Sequence, residues 1–301
     1  MEKLYKTYSE FLAEHFTGKI QKIAVNIGMS CPNRDGTIGK GGCTYCNNQS
    51  FVPDYCQPDR SVTQQLEDGK AFFARKYPEM RYLAYFQAYS NTYASVEMLR
   101  KYYEEALGVE NIVGLVIATR PDCVSDELLD YLGELSEHNF VMMEYGVESC
   151  TDRTLKRINR GHDFACSAGV IRKTASKNVH VGAHLILGLP GESREEMLRQ
   201  ADEMSVLPVE VVKLHQLQIL KGTKMEEDYH SNPSDFHLFA PEEYARLVVE
   251  FLRRLRPDIA VERFTNQSPP HLLATEGWGL KNHEFVHILM RVAKECQDLS
   301  V

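Results

Sequence analysis

Residues 22–46, KIAVNIGMSCPNRDGTIGKGGCTYC, decide how the chain is read. An apolar run, KIAVNIG (22–28), has the length and β-branched content of a buried strand. It passes directly into a long loop carrying Gly36, Gly39, Gly41 and Gly42. Such a loop after a strand occupies the position of a β-α connection, where α/β folds keep their ligand sites. Outward from this stretch the pattern repeats. Further strand candidates are RYLAYFQ (81–87), IVGLVIA (112–118), FVMMEYG (140–146), VGAHLIL (181–187) and VEVVKLHQL (209–217), separated by helical patterns. Ser61 with Gln64 and Ser193 with Glu196 have capping-box spacing, and Pro241 opens a helix running to Arg256. Alternation of this kind predicts a parallel sheet with helices on its outer face.

Six β-α units fall short of the eight of a closed barrel, leaving an open partial barrel or a doubly wound sheet. The predicted organisation is an N-terminal helical segment over residues 1–21, a core over 22–229 and a C-terminal extension over 230–301. The polar loop HSNPSDFH (230–237) is the candidate boundary. The extension carries a helix, a short strand IAVERF (259–264) and a last helix over 283–296.

The chain has 301 residues, 43% hydrophobic and 25% charged, which is enough to bury a large core and excludes global disorder. No apolar run has the length of a membrane span and the first residues lack a signal-peptide core, so a cytoplasmic location is expected. In that reducing compartment eight cysteines read as metal ligands, reactive thiols or small core residues rather than as disulfides. Cys31, Cys43, Cys46 and Cys56 crowd together, whereas Cys123, Cys150, Cys166 and Cys296 are scattered. The net charge of −8 gives no global attraction to nucleic acid, but seven Lys/Arg between residues 151 and 177 form a candidate local basic face.

Glycines let the loop fold back so that Cys31, separated from Cys43 by eleven residues, meets Cys43 and Cys46 at one centre. Structural zinc wants four ligands, and the only nearby fourth thiol is Cys56. Three thiolates on a [4Fe–4S] cluster leave one iron open to another ligand. The alternatives are a zinc-binding structural or interaction protein and an iron–sulfur redox sensor.

The three cysteines after a first strand, with Tyr45 before the last, resemble the loop of the radical S-adenosylmethionine (SAM) superfamily. The long first gap in CPNRDGTIGKGGCTYC resembles an Elongator-like subgroup, that of MnmL (YtqA-like) proteins that modify the wobble uridine of tRNA. The resemblance implies a partial (β/α)6 TIM-type barrel, a [4Fe–4S] cluster on Cys31, Cys43 and Cys46, and S-adenosylmethionine on its open iron. It places Tyr45, Gln87 in AYFQAYSNTY, Glu148 in EYGVES, Arg160 in LKRINRGH, Ile186 in ILGLPGE, and His215 and Leu217 in KLHQLQILKGT around S-adenosylmethionine. Arg120 and Asp122 in ATRPDCVSDELL are candidate substrate residues, Arg120 for a substrate carboxylate. Trp278, the only tryptophan, is a candidate for stacking on RNA. The implied reaction begins with a 5′-deoxyadenosyl radical, supplied with electrons by flavodoxin or ferredoxin. It converts carboxymethylaminomethyl-uridine of tRNA to aminomethyl-uridine; a small-molecule or porphyrin-like substrate is the alternative.

Overall fold

A computed structural model describes residues 3–47, 53, 55–74 and 80–298. Among them eight strands form one all-parallel sheet: β1 (Lys6–Thr7), β2 (Ile20–Val25), β3 (Arg81–Phe86), β4 (Ile112–Thr119), β5 (Phe140–Glu148), β6 (His180–Leu187), β7 (Val211–Gln216) and β8 (Ala260–Arg263). Their order is β1-β8-β7-β6-β5-β4-β3-β2, and the sheet curls into a half-barrel. Helices α3 (Val62–Ala74), α4 (Val96–Leu107), α5 (Asp126–Ser136), α7 (Phe164–Ser176) and α8 (Arg194–Val206) connect consecutive strands from β2 to β7. All six predicted core strands are present. β2 ends earlier than its apolar run because Gln65 of α3 captures the next residue: its Oε1 accepts from the Asn26 N–H at 2.8 Å and its Nε2 donates to the Asn26 carbonyl at 2.9 Å.

The start of the chain differs from the predicted helix. Lys6 and Thr7 pair with Ala260 and Val261 of β8. Only at Thr7, which forms a capping box with Glu10, does helix α1 (Tyr8–His15) begin. The C-terminal part is continuous with the sheet, because β8 pairs with β7. Helix α10 (Pro241–Arg254) packs on α8 and on α11 (Asn282–Asp298).

The barrel interior is layered. Phe11 and Leu12 of α1 pack with Leu83, Val116, Phe140 and Met142, closing the amino-terminal end with apolar side chains. Next to this layer lies a charged one. Glu144 of β5 is 1% exposed and accepts from Lys213 Nζ and His184 Nε2, both at 2.8 Å, and from Lys22 Nζ. Lys22 also reaches Glu262 at 2.6 Å, joining the first and last long strands of the half-barrel across its interior. Two lysines and two glutamates neutralise one another there. Toward the carboxyl ends of the strands the interior opens into a cavity. Among the described residues no helix is long and apolar enough to cross a membrane.

Candidate active site

The cysteine loop is folded by local hydrogen bonds. Cys31 precedes helix α2 (Pro32–Asp35), and Gly36 at φ 97° reverses the chain. Gly41 and Gly42, both at φ 82°, turn it again, and the Gly42 N–H donates to the Asn33 carbonyl at 2.8 Å. Left-handed backbone at these positions explains the glycines. The returning arm is tied to the segment after helix α6 (Asp152–Arg157): Thr44 N–H donates to Ile158 O at 3.0 Å and Asn159 Nδ2 to Gly42 O at 2.8 Å. Cys31, Cys43 and Cys46, all free thiols, thereby line one cavity of about 370 Å³ at the carboxyl ends of the strands.

Three N–H donors converge on the Cys43 sulfur: Arg160 Nη1 at 3.4 Å, Asn33 Nδ2 at 3.6 Å and Arg120 Nη1 at 3.8 Å. Two of them belong to guanidinium groups. Burial and neighbouring Cys43 push the Cys46 thiol up to about 11. Such a thiol ionises at neutral pH when a metal takes its proton's place. Cys56, which is fully buried and does not line the cavity, is pushed up to about 12 by burial. Among the described residues no fourth thiol lines the cavity. The donor set fits an iron–sulfur cluster held by three cysteines.

Arg160 is buried and also donates to the Gly146 carbonyl at 2.5 Å and faces Glu148 Oε1 at 3.7 Å. Register in β5 slips at Val147, a bulge that turns Glu148, at φ 69°, toward the cavity. A Cβ on Gly146 would lie 2.5 Å from Glu148 Oε1 and 2.7 Å from Arg160 Nη2, so the glycine makes space for this pair. Tyr45, Gln87, Ile186, His215 and Leu217 line the same cavity. The structure thus brings together every residue expected around S-adenosylmethionine.

The substrate residues fare differently. Arg120 lines the cavity but is 3% exposed and fully engaged: Nε and Nη2 bind both Asp122 carboxylate oxygens at 2.8 and 2.7 Å, and Nη2 also meets Arg160 O at 2.6 Å. Burial alone would raise Asp122, but the Arg120 guanidinium holds it below the usual carboxylate range. Arg120 therefore braces the cysteine site and has no fork left for a substrate carboxylate. Trp278 lies away from the cavity, stacked on Phe285 at 5.7 Å with its indole N–H donating to Phe239 O at 2.9 Å, which makes it a packing residue. The 151–177 face is less basic than its composition, since Arg153, Arg157, Lys173 and Lys177 are paired with Glu196, Asp235, Asp126 and Asp130.

Sequence reading missed the opposite wall. Tyr85, His184, Gln216, Arg263 and Asn266 all line the cavity. The available signal was a polar side chain inside an otherwise apolar strand, as at Tyr85, His184 and Gln216, the mark of an interior-facing position in a barrel.

Residues 26–204 match the family model described as the Radical SAM superfamily, and residues 209–294 match its Radical_SAM C-terminal domain. The chain belongs to this superfamily and is a radical SAM enzyme, a class that uses a [4Fe–4S] cluster and S-adenosylmethionine. It is similar to the uncharacterized protein YtqA of Bacillus subtilis, with 36% identity over 99% of this chain and 91% of that protein. A tRNA uridine(34) acetyltransferase of Methanocaldococcus infernus is 26% identical over 54% of this chain and 30% of its own length. Among solved structures, the Elp3 protein of the same archaeon superposes with a TM-score of 0.69 at 15% identity, covering 93% of this chain and 64% of that one.

Proposed function

We propose that this enzyme acts on the wobble uridine of tRNA, converting a carboxymethylaminomethyl substituent to aminomethyl. The observation that carries the reading is a set of neutral amides in the same cavity as the thiols: Gln87, Gln218, Asn266 and Gln267 line it, and Gln218 Oε1 is buried without a hydrogen-bond partner among the described residues. Amide groups match the mixed donors and acceptors on the edge of a pyrimidine, and an unstacked loop base can enter such a cavity. The similarity to a tRNA uridine(34) acetyltransferase supports the same substrate class.

With cluster and S-adenosylmethionine bound, the site would supply 5′-deoxyadenosyl radical chemistry, able to take hydrogen from a substrate C–H bond. The chain's own contribution is positioning. Arg160 and Glu148 face the space beside Cys43 and are the groups to hold the amino-acid end of S-adenosylmethionine. The strand edges at Ile186 and at 215–217 border the adenine. On the substrate, the carbon between amine and carboxylate is the favoured site of abstraction, because both neighbours stabilise the resulting radical; loss of one further electron and a proton would give an imine, and its hydrolysis would break the C–N bond to leave aminomethyl-uridine and glyoxylate, with S-adenosylmethionine as the net oxidant. Exposed Arg34, Lys40 and Lys156 lie on the two segments that form the mouth and are suited to backbone phosphates. In this reading the enzyme works in the reducing cytoplasm with a flavodoxin- or ferredoxin-type electron donor.

The test is mass spectrometry of tRNA nucleosides from cells lacking the gene. Accumulated carboxymethylaminomethyl-uridine with loss of aminomethyl derivatives is expected; an unchanged profile contradicts the reading and directs the search to small molecules.

A further inference from the structure

One wall of the cavity contains a pair of unsatisfied side-chain donors, on Arg263 and His215, that the positioning described above, which uses only the backbone edge at 215–217, leaves unused. Arg263 ends β8, where register against β7 slips: Val212 pairs with Val261, but Lys213 pairs with Arg263. Glu262 is thus the extra residue of a bulge, which lets it and Arg263 both turn into the barrel. Glu262 joins the charged layer through Lys22 and Lys213. Arg263 does not join it: among the described residues no carboxylate pairs with it, and its buried Nε has no partner. The charged layer is neutral in itself, with two lysines against two glutamates. One positive charge is left over on the cavity wall.

His215 of β7 completes the arrangement. Arg263 Nη2 lies 3.5 Å from His215 Nδ1. A guanidinium only donates, so Nδ1 accepts, and the imidazole proton resides on Nε2. That Nε2 is buried and also has no partner. Arg263 and His215 both line the cavity, and two of their N–H groups, Arg263 Nε and His215 Nε2, are buried behind its surface without acceptors. Buried unsatisfied donors are costly, and their clustering beside a free charge marks a place for a ligand.

We propose that Arg263 and His215 form the subsite that receives the carboxylate of the substrate's carboxymethylamino group, taking the part that Arg120 is too fully engaged to play. The assignment rests on the tRNA reading for the identity of the substrate, but its chemistry is local. Two donors and one uncompensated charge suit a monoanion. A carboxylate held there is fixed at one end, so the adjacent carbon is presented to the middle of the cavity, between this wall and the cysteine wall.

The experiment uses the reconstituted holoenzyme and two probes. The first is N-methylglycine, which reproduces the carboxymethylamino group without RNA, titrated by saturation-transfer NMR. Wild type is expected to bind it, Arg263→Gln to weaken binding about tenfold, and Arg263→Lys to recover part of the loss. Melting temperatures of the two variants control for folding. Absence of binding to wild type, or equal binding by wild type and a folded Arg263→Gln, overturns the subsite. The second probe is tRNA bearing carboxymethylaminomethyl-uridine, with KM and kcat measured separately; a higher KM in Arg263→Gln is expected. If wild type binds N-methylglycine through Arg263 but leaves the tRNA unchanged, the subsite stands and the tRNA reading fails. If wild type converts the tRNA and Arg263→Gln leaves KM unchanged, the subsite fails and the tRNA reading stands.

Discussion

Replacing Glu144 by glutamine tests the charged layer under the cavity. Glu144 is 1% exposed and accepts from Lys213, His184 and Lys22; Lys213 and Lys22 are themselves almost wholly buried. The amide is nearly isosteric, so the change removes charge and leaves packing in place. Two buried ammonium groups are then left to Glu262 alone. Breaking a buried ion pair from one side costs about 3–5 kcal/mol. For a chain of this size that is roughly a 5–8 °C fall in melting temperature. Removing one lysine as well, in Glu144→Gln/Lys213→Met, restores the balance of charge and is expected to recover at least half of the loss. The pH dependence has a definite sign. Burial alone would raise the Glu144 pKa, but Lys213 and Lys22 hold it well below the usual carboxylate range. Its contribution is therefore fully present above the unfolded-state value near 4.5 and is lost as pH falls below that toward the folded value. Thermal unfolding at pH 7, followed by circular dichroism on wild type and both variants, reads the effect. A single variant within about 1 kcal/mol of wild type, or a double variant worse than the single, refutes the reasoning.

Three further outcomes follow from the same geometry. Burial pushes Glu192 up to about 7, so the folded state binds the extra proton and stability falls as pH rises from about 4.5 to about 7. The full drop is on the order of 3 kcal/mol, and Glu192→Gln should flatten it in urea titrations; an unchanged slope contradicts the assignment. Trp278→Ala should cost about 2 kcal/mol through lost packing on Phe285 and Tyr244, with tRNA affinity unchanged within twofold in filter binding. A selective loss of tRNA binding would restore the stacking role. Cys43→Ala should abolish iron incorporation and S-adenosylmethionine cleavage, while Cys56→Ala keeps both, as read by iron analysis and 5′-deoxyadenosine yield.

What was legible in the sequence follows from periodicity and local chemistry. Strands buried on both faces appear as unbroken apolar runs, so β2 to β7 could be read one by one. The glycines of the cysteine loop announce its reversals, Glu148 and Gln87 occupy strand ends, and Arg160 lies in the connection after α6, so that all three reach one cavity. Docking was not legible. The two-residue strand β1 is too short to carry a period, and nothing local to Ala260–Arg263 says that it lies beside β7. Side-chain pairing was equally hidden. Arg120 reads as a free ligand until Asp122, two residues on, is seen to take both prongs of its fork. The charged layer draws Lys22, Glu144, Lys213 and Glu262 from four strands, so only the closed geometry shows that they neutralise one another. Arg263 emerges as the cation left over from that balance.

The central claim is that the three-thiol cavity performs radical chemistry on a tRNA wobble uridine. It is tested most directly by incubating the anaerobically reconstituted, reduced enzyme with S-adenosylmethionine and tRNA bearing carboxymethylaminomethyl-uridine, then measuring nucleosides and 5′-deoxyadenosine in the same reaction. The account predicts that carboxymethylaminomethyl-uridine falls while aminomethyl-uridine and 5′-deoxyadenosine rise together. Formation of 5′-deoxyadenosine with unaltered nucleosides would contradict it.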